Sequence, residues 1–250
     1  MIDLTGTTAV VTGAGSGIGR ATSTTLAEAG ATVATADIDL DSAKATVDAI
    51  AALGGKSGAF FVDVTEPDAV TELRDAVHAD LGVATVLANV AGWDRTQPFL
   101  ENERPFWDKV IAINLMGPIT VTRAFLDGMI ANDTGGRVVN VSSDAGRVGS
   151  LGETVYSSAK GGVIAFTKSL AREMARYKIN VNCVCPGPTD TPLLAAQPPR
   201  IQEAMVRATP FRRLGQPQDV ANAIAFFSSD LSSFVTGQVL SVSGGLTMNG

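Results

Sequence analysis

Short apolar, β-branched runs alternate with longer helical patterns from one end of the chain to the other, and no other feature constrains the fold as tightly. The runs cover 8–12, 32–36, 59–62, 85–88, 137–141, 180–184 and 239–242; the helical patterns cover 18–29, 41–53, 67–81, 106–130, 155–177 and 217–228. A β-α-β-α alternation of this kind predicts a parallel sheet with helices on both faces. Strands buried on both faces need continuous apolar runs rather than alternation, and these runs are nearly continuous. Gly30 and the pair Gly54-Gly55 mark helix ends, and Pro67 opens a helix with Thr65 as its candidate N-cap. The chain has 250 residues and no linker-like tract, so one α/β domain over 1–250 is expected. The proline-rich stretch 188–216 reads as a long loop, of the kind that serves as a substrate lid.

The first run leads into Thr12-Gly13-Ala14-Gly15-Ser16-Gly17-Ile18-Gly19-Arg20 and then a helix. Glycines at such a turn let backbone approach a pyrophosphate, and the helix N-terminus offers free N–H groups and a positive dipole end. The G-x-G-x-x-G spacing fails, because the third position is Ile18 or Arg20. What stands is G-x-x-x-G-x-G at Gly13, Gly17 and Gly19, with Ser16 and Ile18 between them; a plain strand-to-helix turn is the alternative. Asp37 closes the second run, 18 residues after Gly19. A carboxylate there accepts both ribose hydroxyls of NAD and repels the 2′-phosphate of NADP, so NAD is the expected cofactor.

Tyr156 and Lys160 stand four residues apart near the start of a helical pattern and share a face. A nearby ammonium lowers the tyrosine pKa from about 10 and favours the phenolate. With the positive nicotinium ring added, the phenol is expected to reach the working pH and act as acid and base. Ser143 follows the preceding strand and is placed to donate a hydrogen bond to a substrate oxygen. In isolation a Tyr-x-x-x-Lys pair is a surface pair; its weight comes from the glycine loop and Ser143.

Taken together, Gly13, Gly17, Gly19, Asn89-Val90-Ala91-Gly92, Asn114, Ser143, Tyr156-x-x-x-Lys160 and Pro186-Gly187 resemble the ordered motifs of the short-chain dehydrogenase/reductase family over nearly the whole chain. The resemblance implies a Rossmann-like, three-layer α/β fold with a single parallel sheet of about seven strands and a homotetramer. It implies that Asn114 holds a water linking Lys160 to solvent, that Asp63 and Val64 flank the adenine, and that Asn89 supports the sheet beside the cofactor. Ala91, Gly92, Pro186 and Gly187 would border the cofactor, and Thr189 and Thr191 would meet the nicotinamide carboxamide. Two positions depart from the family pattern: Thr189 replaces a branched apolar residue, and Val90 replaces a second asparagine. Ala91-Gly92-Trp93-Asp94, 185–191 and the tail 242–250 are similar to a branch of the family acting on cyclic β-hydroxyacyl-CoA thioesters such as 2-hydroxycyclohexanecarboxyl-CoA. The alternative branch reduces 3-oxoacyl-carrier proteins and favours NADPH.

Trp93, Asp144, Val148 and Glu153 are the expected pocket residues; Trp93 as core packing is the competing reading. Arg200, Arg212 and Arg213, in or beside the lid, are candidates for CoA phosphates, or simply solvated. The rival chemistries lack parts. His78, alone and in a charged helical stretch, reads as a surface residue, so a Ser-His-Asp hydrolase has no base. Cys183 and Cys185 make no metal set and read as small core residues, so no metal is expected. Net charge is −6, which argues against nucleic acid and anionic membrane as partners. Without a signal-like N-terminus or an unbroken run of 18 apolar residues, a cytoplasmic enzyme is expected.

Overall fold

In the computed structural model, which describes residues 2–248, side chains alternate along the first strand, β1 (Thr8–Thr12): Ala9 and Val11 enter one core and Val10 the other. Both faces are therefore covered, which is why the run has no polar alternation. The remaining strands are β2 (Thr32–Asp37), β3 (Lys56–Phe61), β4 (Val86–Asn89), β5 (Gly136–Val141), β6 (Ile179–Pro186) and β7 (Val239–Val242). They form one seven-stranded sheet, entirely parallel, in the order β3-β2-β1-β4-β5-β6-β7. The helices are α1 (Gly17–Glu28), α2 (Leu40–Ala52), α3 (Pro67–Leu81), α4 (Arg104–Ile111), α5 (Gly117–Ala131), α6 (Ala145–Val148), α7 (Thr154–Met174), α8 (Pro192–Ala195), α9 (Pro199–Ala208) and α10 (Pro217–Ser228).

One core joins Val10 to Leu73 and Val77 of α3, Phe125 and Met129 of α5, and Ala171 and Met174 of α7. The other joins Ala9 and Val11 to Leu26 of α1, Ile50 of α2, and Val220, Ile224 and Phe227 of α10. Each fully buried side chain of this size contributes about 1.5–3 kcal/mol by leaving water. The expected three-layer architecture is thus present, and the differences lie in local detail.

The helix expected over 106–130 is broken: Ala112–Met116 forms a π turn between α4 and α5, centred on buried Asn114. The run Arg104–Ala131 has the length and mean hydropathy of a membrane span, yet Phe125 and Met129 place it in the core. The loop expected over 188–216 carries α8 and α9, and its two ends are stitched together by a parallel bridge between Thr189 and Gly215. β3 begins at Lys56, earlier than its apolar run, because an edge strand needs only one buried neighbour. Thr65 does not cap α3; Glu66 holds that position, and Thr65 donates through N and Oγ1 to Asp63 Oδ1 at 2.9 and 2.7 Å. His78 is not a surface residue. It lies half-buried, edge-on to Phe125, and burial pushes its pKa down.

Beneath the carboxyl ends of the central strands, Asn89 Nδ2 donates to Thr122 Oγ1 (2.9 Å) and Asn140 Oδ1 (2.8 Å), and Asn140 Nδ2 donates to Thr167 Oγ1 (2.9 Å). This buried chain ties β4 and β5 to α5 and α7. Asn140→Ala is expected to orphan an Asn89 N–H and leave a cavity, lowering stability by about 2 kcal/mol; urea unfolding, with the midpoint lowered and the slope unchanged, checks this.

Candidate active site

The chain builds outward from β1 to β3, then crosses to β4 on β1's other side, so the loops after β1 and β4 diverge at the sheet's carboxyl edge. Ligands of open α/β sheets bind at such a switch point. Here the two loops meet closely at their bases. Gly13 has φ +67°, and a Cβ on it would lie 2.8 Å from Ala91 Cα. A Cβ on Gly19 would lie 1.9 Å from Gly13 O, so α1 starts directly against the turn. The cleft that opens above them holds about 420 Å³, within the size range of small-molecule sites.

Gly13, Ser16, Gly17, Ile18 and Gly19 line one wall, and Asp37, Asp63 and Val64 line the far end. Ala91, Gly92 and Trp93 face them from the β4 loop, and Thr191 closes the side from the base of α8. Asp37 Oδ2 accepts from Gly15 N at 2.7 Å and Oδ1 from Asp39 N at 2.9 Å, which fixes the carboxylate at the cleft. Arg20 turns elsewhere: its guanidinium donates to Gly15 O and to Thr46 Oγ1. A glycine wall without room for side chains, a helix N-terminus and an anchored carboxylate fit a nicotinamide dinucleotide.

The second cluster adjoins this cleft. Lys160 is 2% exposed; its Nζ donates to Val141 O at 3.0 Å and lies 3.5 Å from where a Gly92 Cβ would be. It sits 5.6 Å from the Tyr156 ring centre, one helical turn along α7. Burial pushes the Lys160 pKa down to about 8. Burial also pushes the Tyr156 phenol up, Glu153 and Asp94 push it further, and the Ser143 hydroxyl pulls it down. Burial of the phenol thus opposes the acidification expected from the positive charges of the ammonium and the cofactor.

Asn114 lies behind Trp93. Its Nδ2 donates to Trp93 O (2.7 Å) and Val110 O (2.9 Å), and its Oδ1 accepts from Trp93 N (3.2 Å). The side chain is thus spent on holding the β4 loop, and the π turn brings it there. Asn89 is buried beneath the cleft rather than lining it.

Other expected residues sit elsewhere. Asp144 does not wall a pocket: it is 5% exposed, and Ser241 Oγ lies 2.7 and 2.9 Å from its two carboxylate oxygens, pinning the β5 loop to β7. Val148 points to solvent, 67% exposed at the end of α6. Thr189 is 6% exposed and donates to Gly187 O at 2.9 Å; Pro186, Gly187 and Thr189 do not line the cleft. Glu153 stands at the N-cap of α7, partly buried beside Tyr156.

Several cleft residues had no signal in the spacing, Lys109 and Ile38 among them. Lys109 sits 4.0 Å over the Trp93 ring from an ordinary-looking amphipathic helix. Ile38, 63% exposed beside Asp37, offers an apolar flank; an apolar residue between two aspartates was its one clue. Since Gly19 has no space for a methyl group, Gly19→Ala is expected to weaken NADH binding at least tenfold, read by fluorescence titration, while Gly54→Ala, with nothing within 4 Å, leaves it unchanged.

Residues 13–247 match the family model described as Enoyl-(Acyl carrier protein) reductase. The chain is 39% identical to the (3R)-3-hydroxyacyl-CoA dehydrogenase of Mus musculus, over 98% of each chain. It is also 39% identical to the 3-oxoacyl-[acyl-carrier-protein] reductase FabG of Thermotoga maritima, over 98% of this chain and 99% of that one. The crystal structure of a short-chain type dehydrogenase/reductase from Mycobacterium marinum superimposes with a TM-score of 0.94 at 30% identity, covering 99% of this chain and 98% of that one. With its seven-stranded Rossmann-like sheet, the chain belongs to the short-chain dehydrogenase/reductase family and is an oxidoreductase that interconverts alcohol and ketone with a nicotinamide cofactor.

Proposed function

We propose that the protein is an NAD-dependent dehydrogenase of β-hydroxyacyl-CoA thioesters, with Tyr156 exchanging the hydroxyl proton. The observation that carries the reading is the grouping of Ser143, Tyr156 and Lys160 behind Gly92, which lines a glycine-walled cleft that also holds Asp37. When bound, the cofactor supplies the hydride acceptor or donor and, oxidised, a positive charge. Ser143 donates to the substrate oxygen as charge gathers there. Tyr156 Oη takes the hydroxyl proton during oxidation and returns it during reduction. Lys160, an ammonium below pH about 8, favours the phenolate and passes the proton on toward solvent, while Asn114 holds the β4 loop beside it.

NAD rather than NADP follows from Asp37, whose charge meets the 2′ position, and from Arg20, which is tied to Gly15 and Thr46 and is not free for a phosphate. The thioester follows from the hydroxyacyl-CoA relative, and a cyclic acyl group from the Ala91–Asp94 and 185–191 motifs and from Trp93, which walls the cleft under Lys109. Asn249 and Gly250 of the similar tail lie outside the described residues. Of the arginines considered for CoA phosphates, Arg213 is paired with Asp219 at 2.6 Å and Arg212 donates to Arg207 O, which leaves Arg200, exposed on α9. We place the enzyme in the cytoplasm, with 188–216 as the lid of a single domain. We also assign it a homotetrameric state, as the family resemblance implies. The FabG relative favours a second reading, reduction of 3-oxoacyl-carrier protein, which predicts NADPH preference and a carrier-linked substrate.

Near-ultraviolet absorbance of NADH with 2-hydroxycyclohexanecarboxyl-CoA, straight-chain 3-hydroxyacyl-CoA and acyl-carrier-protein substrates separates the two. Tyr156→Phe is expected to lower kcat about a thousandfold while NADH still binds; wild-type turnover ends the proposal. Asp37→Ala is expected to narrow the ratio of kcat/KM with NAD over that with NADP, and an unchanged ratio counts against NAD specificity.

A further inference from the structure

The charges that line the cleft are unbalanced. Asp37 and Asp63 bring two carboxylates, and among the described residues Lys109 is the one basic side chain in the lining. Arg20 is turned away, donating to Gly15 O and Thr46 Oγ1. A dinucleotide carries a negatively charged diphosphate into this space. The N–H groups at the start of α1 meet part of that charge, and the two carboxylates oppose it.

Lys109 is held at the cleft wall without being neutralised. It stands in the last turn of α4, four residues before Ile113, which also lines the cleft. Its Nζ lies 4.0 Å from the centre of the Trp93 ring. That ring is itself fixed. Asn114 clamps the Trp93 N–H and C=O, and Phe106 meets the indole edge-on, with ring centres 5.8 Å apart. Among the described residues Lys109 is in no ion pair within 4 Å, and the adjoining carboxylate, Asp108, is taken by Arg104 at 2.7 Å. An aromatic face attracts an ammonium through its quadrupole but carries no net charge, so the positive charge of Lys109 is not cancelled. The side chain is exposed and its stem is flexible, so a ligand in the cleft reaches it without any change in the core.

We propose that Lys109 is a cofactor-binding residue: an ammonium seated on the Trp93 face that pairs with the phosphates of the bound dinucleotide. It adds a charge-assisted contact to those of the glycine turn and offsets the repulsion from Asp37 and Asp63. The indole keeps the stem over the cleft instead of spread in solvent. NAD and NADP share the same diphosphate, so Lys109 sets affinity for both and leaves the choice between them to Asp37. The inference rests on the cleft being the dinucleotide site and is independent of the acyl substrate.

CoA also carries phosphates, so the test separates the two sources. NADH binding to the full chain is read by fluorescence titration, and ADP-ribose and adenosine are read by displacement. Lys109→Met is expected to weaken NADH and ADP-ribose about fivefold each, and Lys109→Glu about twentyfold, with adenosine unchanged in both; Lys109→Arg keeps the original affinity. Raising NaCl from about 0.05 to about 0.5 M is expected to cost the unmodified chain more NADH affinity than it costs Lys109→Met. Unchanged NADH affinity in Lys109→Met overturns the proposal, whatever Lys109→Glu does. An equal loss for adenosine overturns it too, because the lysine then acts by packing on Trp93. A raised KM for the CoA thioester with NADH affinity unchanged assigns the charge to the substrate and overturns it as well. An unmodified chain that binds no NADH defeats the reading of the cleft instead.

Discussion

The close approach of two backbones at the carboxyl edge of the sheet underlies the rest of this structure. Gly13 and Ala91 come from loops that leave β1 and β4 in opposite directions, and they touch because Gly13 has no side chain. Gly19 then seats α1 against the same turn, which aims its first N–H groups into the cleft. A bulkier residue at any of these points would push the loops apart and tilt the helix. The phosphate wall and the position of Gly92, against which Lys160 rests, would be lost together. Cofactor geometry and catalytic geometry are one packing problem here.

The charges of the site are arranged with similar economy. Lys160 is buried and Tyr156 partly so, and burial moves them in opposite senses, the lysine toward losing its proton and the phenol toward keeping it. Water would erase this opposition; the dry interior preserves it. The polar chain of Asn89, Asn140 and Thr167 beneath keeps the central strands from shifting, and Asn114 keeps the β4 loop over the lysine. Most of the polar atoms near the site hold backbone in place rather than reach for a ligand.

Much of this was legible in the chain itself. Apolar runs of strand length separated by helical patterns specify a sheet covered on both faces, since no other arrangement buries them all. The glycine spacing, Asp37 and the Tyr156–Lys160 interval are local patterns, and local patterns survive folding unchanged. Helix interruptions were not legible. The π turn at Asn114 inserts one residue into a run whose periodicity reads as continuous, and what stabilises it is the distant Trp93 backbone. Likewise α8 and α9 sit in a proline-rich stretch whose composition suggested irregular chain, because prolines at first-turn positions start helices as readily as they end them.

Sequence alone thus determined the layers, the parallel sheet, the phosphate-binding turn and the residue types that carry the chemistry, all consequences of short-range periodicity and of what glycine, aspartate and tyrosine can do anywhere. Tertiary structure alone decided which way each side chain faces and how much water surrounds it. Proximity in sequence made Asp144 a plausible pocket residue, yet Ser241, 97 positions away, claims its carboxylate. Burial raises the Tyr156 phenol, an effect that its spacing from Lys160 does not foretell. Electrostatics depends on distance through space and on burial, and neither quantity is written in the order of residues.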